Sequence, residues 1–184
     1  MGAPEANSWL VNDVIEIAPD MKVLDVGCGT ANILSALPDV EYLGIDSNPK
    51  YIDKARRRFG TRGQFEVLDV NDPSFKDFGT FDRVLLIGVL HHLDVGEVRN
   101  LLKSLSTCLG REGRLVTFDN ALIEWQHPIA RFLAKADRGR FSRSPEHYRR
   151  LLESSFHVEG EFVRHDLLRV PYTHVAFTAR VAAP

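Results

Sequence analysis

The segment KVLDVGCGTA, from Lys22 to Ala31, places a short apolar strand directly before a glycine-rich turn. A helix is predicted to begin near Asn32, immediately after this turn. Because glycine has no side chain, the main chain of such a turn can approach a ligand closely. Open α/β sheets bind their ligands at the carboxyl ends of parallel strands. The segment therefore predicts an α/β fold with a binding site at the end of its first strand.

Strand and helix patterns alternate along most of the chain. A first helix is predicted over residues 8–17, closed by Pro19. The strand of the opening segment, Val23–Val26, is followed by helices over 33–37, 49–59 and 95–109, and by strands at Tyr42–Ile45, Gln64–Leu68, Arg83–Ile87 and Gly113–Phe118. This alternation predicts a parallel sheet covered by helices on both faces.

The pattern changes after Asp119. Residues 121–155 are predicted to be helical and irregular, and two strands follow at His157–Arg164 and His174–Arg180. The connection between these strands, through Pro171, is too short for a crossover helix. The two strands are therefore predicted to be antiparallel.

Composition limits the class of protein. A chain of 184 residues can bury a core without disulfide staples, and 44% apolar with 26% charged residues is typical of a soluble domain. The net charge of −2 argues against dedicated nucleic-acid binding. Cys28 and Cys108 are interpreted as reduced thiols of a cytoplasmic protein. The sequence shows neither an apolar run of membrane-spanning length nor a secretion signal.

Carboxylates also follow the second and third strands. Asp46 ends the second strand, where it could accept hydrogen bonds from ribose hydroxyls, and Asp69 ends the third, where it could accept from an adenine amine. Taken singly, Asp46 could instead cap the helix that begins at Pro49, and Asp69 could cap the turn before Pro73. Their joint position at successive strand ends favours a nucleoside site.

At these residues the chain resembles the class I S-adenosylmethionine-dependent methyltransferases. The resemblance covers roughly residues 20–120, and the final strand pair fits the same architecture. It implies a Rossmann-like, doubly wound seven-stranded sheet of order 3-2-1-4-5-7-6, with strand 7 antiparallel. It also implies S-adenosyl-L-methionine as cofactor and S-adenosyl-L-homocysteine as product. Ala31 departs from the family, which usually has a third glycine there.

The resemblance assigns roles to individual positions. Gly27 and Gly29 would admit the methionine part and the ribose, Asp25 would help to hold the methionyl amine, and Ile87 would lie near the methionyl group. No metal ligand is implied. The complete implied cofactor set is Asp25, Gly27, Cys28, Gly29, Asp46, Ser47, Asp69, Val70 and Ile87.

A nicotinamide dinucleotide is the main competing cofactor. Its fingerprint, G-x-G-x-x-G, requires a glycine at position 32, where this chain has Asn32. The third glycine permits close helix–strand packing beside a pyrophosphate. S-adenosylmethionine has no phosphate, so this requirement does not apply to it.

Methyl transfer from an activated donor needs mainly alignment and exclusion of water. A general base is needed only when the acceptor loses a proton. For an oxygen acceptor, His91 and His174 are the candidate bases, since both are predicted at the carboxyl edge of the sheet. A purely structural role is the alternative for each.

The segment from Arg131 to Arg150 contains seven basic and two acidic residues. It belongs to the insert over residues 121–155, which is predicted to lie over the acceptor side of a single domain spanning 1–184. Arginine binds phosphate and carboxylate groups well. Arg138 and Arg143 are therefore predicted to contact the acceptor, which could be a phosphorylated molecule, a nucleotide-linked sugar or an acidic carrier protein. Tyr172 is added because the start of strand seven is predicted at the rim of the pocket. A solvated helix without a ligand is the alternative.

The predicted function is O-methylation of a sugar-type or other anionic small molecule, with N- or C-methylation second. The sugar-type acceptor is implied by a resemblance of the tail, including the run Arg164–His174, to a subset of small bacterial methyltransferases. A non-catalytic protein that binds S-adenosylmethionine is the alternative from another class. Nucleic-acid methylation is disfavoured because no Asn-Pro-Pro-Tyr-like motif occurs. The N-terminal helix is expected to pack either over the pocket or against a second subunit of a homodimer.

Overall fold

A computed structural model of the chain describes residues 4–69, 72–123, 141–167 and 173–182. Seven strands form one sheet: β1 Lys22–Val26, β2 Glu41–Asp46, β3 Gln64–Val67, β4 Phe81–Ile87, β5 Leu109–Asn120, β6 Phe156–Arg164 and β7 His174–Val181. Their spatial order is β3-β2-β1-β4-β5-β7-β6. Strands β1 to β5 pair in parallel, whereas β7 is antiparallel to both β5 and β6. The predicted fold class and strand order are confirmed.

Within the described ranges, four α-helices accompany the sheet: α1 Pro4–Trp9, which continues as a π-helical turn over Leu10–Val14, α2 Pro49–Phe59, α3 Val95–Leu105 and α4 Pro145–Leu152. Short 3-10 turns occur at Asn32–Ser35, Gly60–Arg62, Pro73–Phe78 and Leu90–His92. Helix α3 begins with a capping box, in which Asp94 and Glu97 accept each other's main-chain N–H groups. None of the described helices is long and apolar enough to cross a membrane.

Alternate residues of the central strands face opposite sides of the sheet, as the strand period of two requires. Val23 packs into one apolar cluster together with Ile52 of α2, and Leu24 packs into the other with Leu101 of α3 and Leu151 of α4. Both faces of β1 are therefore buried, which explains the unbroken apolar run before the glycine turn.

The first helix differs from the prediction of residues 8–17, since it begins at Pro4 and its π-helical turn ends at Val14. Glu16 has a positive φ of 51°, which ends the helical path. The guanidinium of Arg83 donates instead to the main-chain oxygens of Ile15, at 2.7 Å, and Glu16, at 2.6 Å. A tertiary contact from β4 thus satisfies carbonyls at the end of the helix.

The third helix is also shorter than predicted. It ends at Leu105 rather than at position 109, because Leu109 already pairs with Phe81 of β4. The main-chain N–H of Phe81 donates to the carbonyl oxygen of Cys108 at 2.8 Å. Cys108 therefore lies in the turn between α3 and β5, not in a helix as predicted, and neither Cys28 nor Cys108 forms a disulfide bond.

Candidate active site

A cleft of about 420 Å³ opens where the carboxyl ends of β1, β4 and β5 meet the first residue of β7. Its walls include seven residues that the sequence predicted for the site: Asp25, Gly27, Cys28, Gly29, Ile87, His91 and His174. The parallel sheet brings these together because all of its strands end at one edge.

The glycine turn is held tightly against the neighbouring strand. The main-chain N–H groups of Gly27 and Cys28 both donate to the carbonyl oxygen of Ile45, at 2.8 and 2.9 Å. Gly27 has φ 71°, and a Cβ added there would lie 2.7 Å from Cγ2 of Val89. Gly29 has φ 56° with nothing within 4 Å of an added Cβ. The turn therefore presents bare main chain to the cleft at Gly29.

Asp25 is a buried carboxylate at the base of this turn, with only 2% of its surface exposed. Its Oδ2 accepts a hydrogen bond from the Tyr42 hydroxyl at 2.5 Å, and its Oδ1 has no hydrogen-bond partner among the described residues. Burial raises the pKa of Asp25 to about 7, the Tyr42 hydrogen bond opposes that rise, and the charge of Asp46 adds to it. A buried polar atom without a partner is costly, so Oδ1 is suited to a donor on a ligand.

Asp46 connects the end of β2 to the glycine turn. Its Oδ2 accepts from the main-chain N–H of Gly29 at 2.9 Å, and its Oδ1 accepts from that of Asn48 at 2.8 Å. Asn48, not Asp46, caps α2, because the Asn48 side chain accepts from Lys50. The carboxylate thus holds the turn in place, a role that the sequence analysis missed.

Three further predicted cofactor residues lie off the cleft walls or outside the described residues. Ser47 is exposed directly after β2, and Asp69 is exposed two residues beyond the end of β3. Val70 lies outside the described residues. The cofactor contacts of all nine predicted residues, on and off the cleft walls, stay predictions.

His91 and Asp119 form a buried pair on the cleft wall. The main-chain N–H of His91 donates to Asp119 Oδ1 at 3.1 Å, and the His91 Nδ1 lies 2.7 Å from the same oxygen. A carboxylate only accepts hydrogen bonds, so Asp119 favours the His91 tautomer that carries its proton on Nδ1 and leaves Nε2 as the acceptor. Asp119 is 2% exposed, and its Oδ2 has no hydrogen-bond partner within the described ranges. Burial raises the pKa of Asp119, and His91 opposes this rise.

His174 stacks on Phe118, with ring centroids 5.0 Å apart and an interplanar angle of 11°. His174, the first residue of β7, pairs with Asn120, the last residue of β5. Burial, with a smaller contribution from His91, lowers the pKa of His174 to about 4. The ring is therefore neutral at pH 7 and can accept a proton only weakly.

The structure adds residues that the sequence analysis did not assign to the site. Asn7 of α1 lines the cleft and donates from Nδ2 to the carbonyl oxygen of Asn32 at 3.3 Å. The N-terminal helix thus packs at the cleft, as one of the two expected placements. Phe118 and Asn120 also line it. Phe118 and Asn120 flank Asp119 in the sequence, and this spacing could have indicated both residues, but the predicted strand ended at Phe118.

Of the three predicted acceptor residues, only Arg143 lies among the described residues, and it does not line the cleft. The guanidinium of Arg143 is directed at main-chain oxygens, those of Leu90 at 2.7 Å and Leu93 at 2.6 Å, and the residue is only 6% exposed. The described hydrogen bonds of the guanidinium are thus made to the protein's own main chain, and the acceptor contact of Arg143 stays a prediction. Arg138 and Tyr172 lie outside the described residues. In the described part of the chain no cluster of three or more His, Cys, Asp or Glu side chains could hold a metal ion.

Comparison with known proteins agrees with the fold. The profile of a family described as a methyltransferase domain matches residues 24–115. The mouse protein "Probable tRNA methyltransferase 9B" is 33% identical over 101 residues, which cover 54% of this chain and 22% of the mouse protein. This chain therefore matches only about a fifth of that relative's length.

Solved structures share the whole architecture at low sequence identity. The N-methyltransferase NodS from Bradyrhizobium japonicum, in complex with S-adenosyl-L-homocysteine, has a TM-score of 0.75 at 16% identity, covering 98% of this chain and 89% of NodS. The mitomycin 7-O-methyltransferase MmcR has a TM-score of 0.74 at 23% identity, covering 97% of this chain and 53% of MmcR. These similarities establish the fold, while their acceptors differ.

Proposed function

This chain belongs to the methyltransferase-domain family, and we propose that it transfers the methyl group of S-adenosyl-L-methionine to a small-molecule acceptor. One observation supports S-adenosyl-L-methionine as the methyl donor. The buried Asp25 Oδ1 has no hydrogen-bond partner among the described residues, and it lines the same cleft as the exposed main chain at Gly29. The methionyl ammonium would donate a hydrogen bond to Oδ1, and its positive charge would balance the negative charge of this carboxylate. The residues present therefore fit the methyl donor.

The remaining predicted contacts complete this proposal. The methionine part and the ribose would lie against the main chain of Gly27 and Gly29. Cys28 and Ile87, which also line the cleft, would contact the same part of the donor. Asp46 and Ser47 serve the ribose hydroxyls, and Asp69 with Val70 serves the adenine. Asp46 retains acceptor capacity for this role, because each carboxylate oxygen can accept more than one hydrogen bond.

The His91–Asp119 pair favours a hydroxyl acceptor. S-adenosylmethionine supplies an activated methyl group, so the protein must align the acceptor and remove its proton. The acceptor oxygen attacks the methyl carbon, the carbon–sulfur bond breaks with its electron pair on sulfur, and Nε2 of His91 takes the acceptor proton. Asp119 holds the required tautomer and stabilises the imidazolium that forms. His174, with a pKa of about 4, is the weaker base.

The nature of the acceptor rests on fewer observations. A sugar-type or other anionic metabolite stays part of the proposal, and its anionic character depends on Arg138 and its basic neighbours at positions 131–140. N- or C-methylation, and donor binding without catalysis, are the alternatives. The buried pair favours catalysis, because binding alone does not need a base poised at the cleft. We further propose that residues 1–184 form one methyltransferase domain and that this domain acts in the cytoplasm.

Calorimetry with S-adenosylmethionine tests the donor site. The D46A variant should bind the donor much more weakly than wild type, because it loses both the ribose acceptor and the anchor of Gly29. The matched control is D53A, which removes an exposed carboxylate from α2. Equal affinity of D46A and wild type would contradict the proposed cofactor site.

A panel of hydroxylated metabolites, including nucleotide sugars and carboxylates, tests catalysis through release of S-adenosylhomocysteine. With an acceptor found, H91Q should lower kcat about 100-fold or more at pH 7 while donor affinity is retained. H174Q should have the smaller effect. An H91Q variant with wild-type kcat would refute the base, and absence of release with every acceptor would favour the non-catalytic alternative.

A further inference from the structure

Arg143 is a buried cation whose hydrogen-bond donors point at the turn that carries the proposed base. One terminal nitrogen donates to the carbonyl oxygen of Leu90 at 2.7 Å and the other to that of Leu93 at 2.6 Å. These two oxygens bracket His91 and His92. A buried charge is costly unless its hydrogen bonds are satisfied. Arg143 is only 6% exposed, and both terminal nitrogens of its planar guanidinium are therefore hydrogen-bonded to this turn.

The main chain beside Arg143 holds the same turn. The N–H of Phe141 donates to the carbonyl oxygen of His91 at 3.0 Å, and the carbonyl oxygen of Arg143 accepts from Leu122 at 3.0 Å. Residues 141–143 thus connect the turn to the chain just after β5. The Arg143 guanidinium also lies over the Tyr148 ring, 5.8 Å from its centroid, which fixes it from α4.

His91 is consequently held from two directions. Asp119 of β5 binds its main-chain N–H and its Nδ1, while residues 141–143 bind the carbonyl oxygens of Leu90, His91 and Leu93 in the same turn. Asp119 can hold the imidazole tautomer only if the turn keeps the ring within hydrogen-bond distance. Placement of the turn therefore decides whether the Asp119 contact exists.

We propose that Arg143 is a positioning residue, which keeps the Nδ1–H of His91 on Asp119 by clamping the turn at Leu90 and Leu93. This inference rests on the proposed function for its catalytic consequence, since it is the base that Arg143 would position. The geometric part concerns His91 and Asp119 alone and is measurable without an acceptor.

The test is NMR of the histidine ring nitrogens, recorded on wild type and on R143A and R143K, each with and without S-adenosylhomocysteine. In wild type, Nδ1 and Nε2 of His91 should have well-separated shifts, as one tautomer requires. In R143A they should move together toward an averaged value, because the ring leaves Asp119. R143K keeps the charge but not the fork, and should recover part of the separation.

R150A is the matched control, because Arg150 is exposed and pairs only with Glu146 of its own helix among the described residues. It should leave the His91 nitrogens unchanged. His91 nitrogens that stay separated in folded R143A would overturn the proposal. If R143A does not fold, R143K decides in the same way, with wild-type shifts in that variant refuting the clamp.

The measurement separates this proposal from the proposed function. Wild-type protein that shows one His91 tautomer but does not bind S-adenosylmethionine would refute the methyl-donor site and leave the clamp standing. Normal donor binding and turnover with an unperturbed His91 in R143A would refute the clamp and leave the function standing.

Discussion

Replacement of Gly27 by alanine should destabilise the protein through two separable causes. Gly27 has φ 71°, and an L-residue in the left-handed region costs about 1–2 kcal/mol. The added methyl would also lie 2.7 Å from Cγ2 of the buried Val89, and such overpacking costs about 1–3 kcal/mol. The expected loss for G27A is therefore about 2–5 kcal/mol in the free energy of unfolding.

Gly29 provides the matched control within the same turn. Its φ of 56° carries the same backbone cost, but nothing lies within 4 Å of an added Cβ. G29A should therefore lose only about 1–2 kcal/mol. Ala31, at φ 54°, shows that the turn already accommodates one methyl group on left-handed backbone. The difference between the two variants isolates the Val89 contact.

Urea unfolding measures both variants, together with V89A and the double variant G27A/V89A. If the methyl overlap is real, the double variant should lose about 1–3 kcal/mol less than the sum of the two single variants. Equal losses for G27A and G29A, combined with additivity in the double variant, would refute the reasoning from the Val89 contact.

Three further outcomes follow from the structure. Burial raises the pKa of Asp25 to about 7, so the native state holds a proton that the unfolded chain has lost above about pH 4. The Asp25 contribution to the unfolding free energy should therefore fall by up to about 4 kcal/mol as pH rises from 4 through 7. Urea unfolding should show wild type losing stability relative to D25N between pH 5 and pH 8, and a difference between the two that does not change with pH would contradict the raised pKa. In Y42F, loss of the hydroxyl that lowers the pKa of Asp25 should weaken S-adenosylmethionine binding at pH 7 and move its pH dependence upward; calorimetry showing the wild-type pH profile would contradict this. D94A should cost about 1 kcal/mol through loss of the α3 cap, with E97Q as the milder control, and an unchanged urea midpoint would show that the capping box does not stabilise the fold.

Most of the scaffold could be predicted because its signals are local. The alternation of apolar strands and amphipathic helices predicted the parallel sheet, and the short connection before His174 predicted the antiparallel pair. Errors arose where a distant contact ended an element. Arg83 of β4 accounts for the end of the first helix by bonding to Ile15 and Glu16, and the pairing of Leu109 with Phe81 shortens the third helix.

Part of the candidate site could be predicted because its sequence signals are also local. Asp25 and the two glycines are adjacent in sequence, so their motif was visible, and His91 follows the next strand end. The partner of His91 could not be paired with it from the sequence, because Asp119 is 28 residues away and reaches it only through the β4–β5 alignment. The predicted acceptor contact of Arg143 rests on its charge, which is visible in the sequence, whereas its burial and its hydrogen bonds to the turn at Leu90 and Leu93 are visible only in the structure.

The sequence by itself determined the order of strands and helices, the glycine turn and the family, since each depends on residues close together in the chain. Only the tertiary structure decided what the charged groups do. Hydrogen bonding and desolvation depend on neighbours in space, so Asp46 anchors the turn, Asp119 orients His91 and Arg143 holds a loop, none of which is encoded in local spacing.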